Sequence, residues 1–89
     1  MRSVCCYPLH TQELQYLSIP VGSKMLSVTT LHGGIVLYVM SEENGNPPKS
    51  MKVEIQILKT NTAVDKKLIF LGTVKYNDEN DVRHVFYNM

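Results

Sequence analysis

The sequence predicts an all-β fold: a small antiparallel sandwich or barrel of six to seven strands, with at most one short helical turn. Three observations lead there. Apolar and polar residues alternate at a spacing of two in several short stretches, the signature of a strand with one buried face. Turn-forming residues recur between these stretches, roughly every 8–12 residues, as in sandwiches and barrels. No stretch of helix length carries an apolar stripe at helical spacing. At 89 residues the chain can build only one core, so residues 1–89 are expected to form a single domain.

The elements follow in order. An N-terminal strand is expected to hold Cys5 and Cys6 as small, half-buried residues. In the next, Gln15, Leu17 and Ile19 alternate with Leu14, Tyr16 and Ser18, and Pro20, Val21 and Gly22 end it. Residues 25–32 come third, where Val28, Thr29 and Thr30 favour extended backbone. Gly33 and Gly34 read as the positive-φ pair of a tight hairpin turn. Residues 35–40 are a nearly continuous apolar run, expected to be buried on both faces. Residues 42–49 contain Asn44, Gly45, Asn46, Pro47 and Pro48 and read as an exposed loop.

The second half is more regular. Met51, Val53, Ile55 and Ile57 alternate with Lys52, Glu54 and Gln56, a half-exposed strand. Residues 59–67 form a polar connection, with a helical turn expected around 63–66. Residues 68–76 are another strand, in which Gly72 marks a bulge or a close backbone approach. Residues 77–81 read as a turn. Residues 82–87 are the last strand, with Val82, His84 and Phe86 on one side and Arg83, Val85 and Tyr87 on the other.

Composition narrows the function. Nine basic and eight acidic residues give a formal charge of +1, without the basic excess of a DNA- or RNA-binding protein. No apolar run approaches the roughly 18 residues that span a bilayer. His10, Gln12 and Glu13 interrupt any signal-peptide core, so the expected compartment is the cytosol, with no membrane partner. Adjacent Cys5 and Cys6 cannot close an unstrained disulfide with each other. Together with His10 they fall short of the four ligands of a structural zinc site. The chain has no Gly-rich phosphate loop, nucleophile elbow or His-Glu-x-x-His helix, and His10, His32 and His84 lie far apart. The acidic residues lack calcium-loop spacing. The expectation is a binding protein, not an enzyme, with no cofactor.

The candidate ligand residues are polar and aromatic. Lys59, Thr60, Asn61 and Thr62, at a strand end, offer a cation, two hydroxyls, an amide and backbone N–H groups, a set that can cradle a phosphate. The same composition also makes an ordinary turn. Arg83 and His84 sit in a core-forming strand, where Arg83 either reaches out to water or lines a pocket. Tyr38 and Tyr87, with Tyr7, could stack on a base or pack in the core with the hydroxyl at the rim.

A resemblance adds to this reading. Tyr7–Pro8–Leu9, then Leu17–Ser18–Ile19–Pro20–Val21–Gly22–Ser23–Lys24–Met25–Leu26–Ser27–Val28, resembles the opening of a family of small phage proteins. That family's pattern runs aromatic-x-leucine, then leucine-proline-x-glycine-alanine-x-isoleucine-leucine-serine-valine. The likeness continues through Leu37–Tyr38–Val39–Met40 and Phe70–Leu71–Gly72–Thr73 to Val82–Arg83–His84–Val85–Phe86–Tyr87. Two departures stand out. Lys59–Thr60–Asn61–Thr62 replaces a Gly-Thr-Gly-His stretch, and Arg83 replaces a tryptophan. The resemblance implies a phage protein acting in the host cytoplasm, of a non-enzymatic kind that disables host defence. Such a protein could sequester a nucleotide immune messenger, a cyclic dinucleotide or a cyclic ADP-ribose isomer, without cleaving it. The alternative is a direct inhibitor of a host protein. A homo-oligomer is expected in either case, because the apolar run at 35–40 exceeds what one thin sheet can hide.

Overall fold

Inward-facing alternation organises seven strands: β1 (Arg2–Leu9), β2 (Leu14–Pro20), β3 (Lys24–Leu31), β4 (Gly34–Glu42), β5 (Ser50–Lys59), β6 (Ile69–Tyr76) and β7 (Asp81–Asn88). The structure is a computed structural model and describes residues 2–42, 49–76 and 81–89. The strands form two antiparallel sheets, ordered β1-β4-β3 and β2-β5-β7-β6. The all-β fold expected from the sequence is what the chain adopts, in the form of a small sandwich.

The period-2 residues of both sheets meet in one core. Ile35, Leu37 and Val39 of β4 join Val53, Ile55 and Ile57 of β5, with Ile19, Val74 and Val85 completing the layer. Seven of the core side chains are under 2% exposed. Each buried side chain of this size contributes about 1.5–3 kcal/mol relative to leaving it in water, so this layer is what holds the two sheets together. The sheets also meet edge to edge, β3 beside β6. Both strands carry a register shift there, at Leu26 in β3 and Leu71 in β6, and bulges bend the strands that carry them. A Cβ on Gly72 would come within 2.8 Å of Val28 Cγ1, so the missing side chain admits the close approach anticipated from the sequence.

Three expectations need correction, and two fall partly outside the described residues. The β3–β4 turn is His32–Gly33, with φ of 52° and 80°, one residue earlier than the expected Gly33–Gly34 pair. Both central φ angles are positive, as a two-residue hairpin requires, and His32 takes one of them. No helical turn forms around 63–66. Asp65 there closes a turn instead, through its carbonyl to Leu68 N–H at 3.1 Å and its carboxylate to Lys67 N–H at 3.0 Å. The run at 35–40 is buried on both faces only at its start: Ile35, Leu37 and Val39 are in the core and the outward Val36 is buried too, but Tyr38 and Met40 point outward half-exposed. It reads as continuous because its outer face is apolar throughout, covered at Val36 and half-open beyond it. Within the expected loop at 42–49 and turn at 77–81, residues 43–48 and 77–80 lie outside the described residues.

The β5–β6 connection sets the shape of the second sheet. β5 and β6 both pair antiparallel to β7 and so run parallel to each other. Residues 60–68 therefore have to travel back from the Lys59–Arg83 level to the Ile55–Tyr87–Ile69 level. That is about 14 Å at strand rise. They do so across the outward face, where Thr60 meets His84 and Lys67 meets Glu54.

Candidate functional site

The inward rows of the second sheet end in charge. Ile57 and Val85 pair in the core, and two residues further on Lys59 pairs with Arg83. That places two cations at the end of the apolar layer, in a row whose third member, Val74, is still core. The turn joining β1 to β2 faces them. Glu13 accepts a hydrogen bond at its carbonyl from Ile57 N–H, 2.8 Å away, and its neighbours fold over the end of the sandwich. The result is a cleft of about 180 Å³ lined by Thr11, Glu13, Ile57, Lys59, Thr62 and Arg83.

Gln15 holds one wall in place. It faces inward in the alternation of β2 and is buried, so its amide must be satisfied internally. Oε1 accepts from His10 N–H at 2.9 Å, and Nε2 donates to the carbonyls of His10 at 2.8 Å and Gln12 at 3.1 Å. The side chain thus acts as backbone for the turn that carries Thr11 and Glu13. On the other wall, Thr62 N–H donates to the Lys59 carbonyl at 3.3 Å. Asn61 takes a positive φ of 70° there, a conformation asparagine tolerates better than most residues.

Arg83 is fixed by Asp81. Its Nε and one terminal nitrogen donate to the two carboxylate oxygens at 2.7 and 3.1 Å, a bidentate pair with directional geometry. The hydrogen bond from Arg83 pulls the Asp81 carboxyl below its usual range, burial opposes this, and the charges of Arg83 and Lys59 add to the lowering. Lys59 is exposed at the mouth. Two cationic residues, two threonines and Glu13 line one small space. This chemistry suits fixing a polar ligand.

The structure divides the residues expected to bind ligand. Lys59, Thr62 and Arg83 come together at the cleft, with Asn61 shaping the turn between the first two. Thr60 and His84 lie on the outward face, where the His84 ring is held by Thr60 at Nε2 and Thr73 at Nδ1, both 2.9 Å. There they tie the connection to the sheet and shield Leu58, an outward residue only 3% exposed. Tyr87 packs against the core, as does Tyr7, whose hydroxyl pKa burial raises. Tyr38 is on the outward face of the other sheet. Among the described residues no aromatic side chain lines the cleft. Glu13 and Thr11 escaped the sequence reading, although Gln15, a polar residue at an inward position, was the available signal for an organised turn before β2.

Among the described residues no group of three or more His, Cys, Asp or Glu side chains is placed to hold a metal ion, and no helix is long and apolar enough to cross a membrane. Fold and site define a small two-sheet β-sandwich with a polar cleft at one end. The chain belongs to the family described as a domain of unknown function, DUF7352, which matches residues 1–89. No curated protein and no solved structure matches it.

Proposed function

We propose that the protein is a non-catalytic binding protein that sequesters a small phosphorylated ligand of the nucleotide class at this cleft. One observation carries the reading: Lys59, Thr62 and Arg83 gather around a single cavity, with Glu13 opposite. A buried phosphate needs cations or oriented donors to offset its desolvation, and a neighbouring carboxylate suits ribose hydroxyls. About 180 Å³ is below the roughly 300–1,000 Å³ of sites that enclose a drug-sized molecule. The cleft therefore takes a phosphate with its sugar, and the remainder of a cyclic dinucleotide or cyclic ADP-ribose isomer extends beyond it. The resemblance to small phage proteins supplies the setting: a stoichiometric trap for a host signalling nucleotide. Calorimetric titration with a panel of cyclic dinucleotides and cyclic ADP-ribose isomers tests this. Saturable binding, with ligand recovered intact after heat denaturation, supports it. Absence of binding across the panel removes it, and conversion of the ligand to a linear product shows an enzyme instead.

A second reading, direct inhibition of a host protein, is favoured by the outward face of the second sheet. Phe70 is 56% exposed and stands 5.4 Å from Phe86, centroid to centroid. Leu14, in the same cross-strand row, and Tyr16 are exposed as well. Pull-down from host lysate that Phe70→Lys abolishes and Lys59→Ala leaves intact would select this reading over the first.

A further inference from the structure

Two open sheets have four edges, and three of them are guarded. β3 and β6 pack beside one another. β1 carries Pro8, which has no N–H, and Arg2, and both features discourage a further strand. The remaining edge is β2, which pairs only with β5 among the described residues.

The hydrogen bonds fix which backbone groups of β2 face outward along that edge. The Glu13 carbonyl accepts from Ile57 N–H at 2.8 Å, and Val21 N–H donates to the Lys49 carbonyl at 2.9 Å. The register between them is unbroken, and in an antiparallel pair every second residue bonds to the partner strand. Gln15, Leu17 and Ile19 therefore bond to β5, and Leu14, Tyr16 and Ser18 turn N–H and carbonyl away from it. Pro20 ends the row, since it lacks an N–H and its carbonyl is taken by Ser23. The side chains of the three open residues also face out, Leu14 at 48% and Tyr16 at 55% exposure.

We propose that β2 pairs antiparallel with β2 of a second copy, about a two-fold axis at Tyr16, joining the two four-stranded sheets into one. The sequence of the edge is the argument for a copy. With Tyr16 on the axis, Leu14 lies opposite Ser18 of the second copy and Tyr16 opposite itself, and each open N–H meets an open carbonyl. Residues 14–19 hold no charge, so no like charges face one another across the new ladder. The nearest charges on the outward face, Lys52 opposite Ser18 and Glu54 opposite Tyr16, stand one strand in and are of opposite sign. Lys52 Nζ lies 5.1 Å from the Tyr16 ring centroid, reaching the ring from the β5 side, away from the edge. The proposal goes beyond the ligand reading and does not rest on it, since Leu14, Tyr16 and Ser18 do not line the cleft.

Sedimentation equilibrium with residue-resolved amide exchange tests it. The parent should sediment at twice its 10.1 kDa. Exchange at Leu14, Tyr16 and Ser18 should slow about tenfold or more as protein concentration rises through the dimer dissociation constant, while Gln15, Leu17 and Ile19 stay protected throughout. Ser18→Pro removes an outward N–H that makes no bond to β5, and Tyr16→Lys sets two like charges on the axis. Both should return the protein to one chain mass with unchanged circular dichroism, and Phe70→Lys, on the far strand β6, should leave the dimer intact. A parent that stays at one chain mass, with exchange at the three residues independent of concentration, overturns the proposal and leaves this edge to a different extended partner. A dimer that survives both Ser18→Pro and Tyr16→Lys overturns it equally, because its interface lies elsewhere.

Discussion

The two ends of the sandwich use polar residues in opposite ways. At one end, where β2 hands over to β3, Ser23 and Ser41 are buried. Their hydroxyls lie 3.0 Å apart, and Ser23 donates to the Pro20 carbonyl at 2.6 Å. There the two hydroxyls are used up by one another and by a backbone carbonyl, which closes that end among the described residues. At the opposite end, Lys59, Arg83, Glu13 and two threonines surround a cavity. The difference teaches how to separate structural polarity from binding polarity. Buried hydroxyls that satisfy one another stabilise the fold. Charged groups gathered around a cavity keep their capacity for a partner. If this is right, substitutions at the sealed end change stability and not binding, and substitutions at the cleft mouth do the reverse.

The largest effect is expected at Gln15, because it serves both properties. Gln15→Ala removes three hydrogen bonds from the turn that walls the cleft, and should cost about 2–3 kcal/mol of stability together with ligand affinity. Chemical denaturation and calorimetry on the same samples would show it. Loss of stability with affinity intact would mean that the turn is not part of the site. Next comes Lys59→Ala, expected to weaken binding of a phosphorylated ligand by about 1.5–3 kcal/mol, the range for hydrogen bonds to charged groups, while stability moves less than about 0.5 kcal/mol. Lys66→Ala, in the connection, should leave affinity unchanged, and equal behaviour of the two variants would dissolve the distinction between the ends. Ser23→Ala is smaller again: about 1 kcal/mol of stability and no change in binding.

The fold was legible because strands announce themselves locally. The alternation of Met51, Val53, Ile55 and Ile57 on β5, and of Arg83, Val85 and Tyr87 on β7, could be read from side-chain type alone. The site was legible only in part, and for a physical reason. Period 2 tells that Arg83 and His84 face opposite ways, but not which way holds the cavity. That depends on the 60–68 connection crossing the outward face, which claims Thr60 and His84 for structure. Lys59 and Arg83 became neighbours through the β5–β7 register, and Glu13 joined them through the turn that Gln15 organises. Both are long-range facts that no window of sequence contains. The two-sided burial expected at residues 35–40 failed at Tyr38 and Met40 because an apolar run looks the same whether its outer face is buried or half-open.

The smallest predicted effect concerns pH and the Asp81–Arg83 pair that steadies the cleft. Arg83 holds the Asp81 carboxyl below its ordinary value of 3.8 by hydrogen bond and charge, and Lys59 adds to this. A carboxylate whose pKa is lowered by folding stabilises the native state wherever it is ionised, so its contribution is fully present above pH 3.8 and is lost as pH falls through the depressed folded value. No change is therefore expected between neutrality and about pH 5 from this group, and the loss is confined to strong acid. It should be modest, because the Asp81 side chain is 32% exposed and solvent screens the pair. Following the carboxyl carbon of Asp81 by NMR through an acid titration would measure it directly. The midpoint should lie below 3.8 in the parent, rise toward that value in Arg83→Ala, and rise by less in Lys59→Ala, since Lys59 acts through charge alone. A parent midpoint at or above the ordinary value would mean that the pair does not hold in solution.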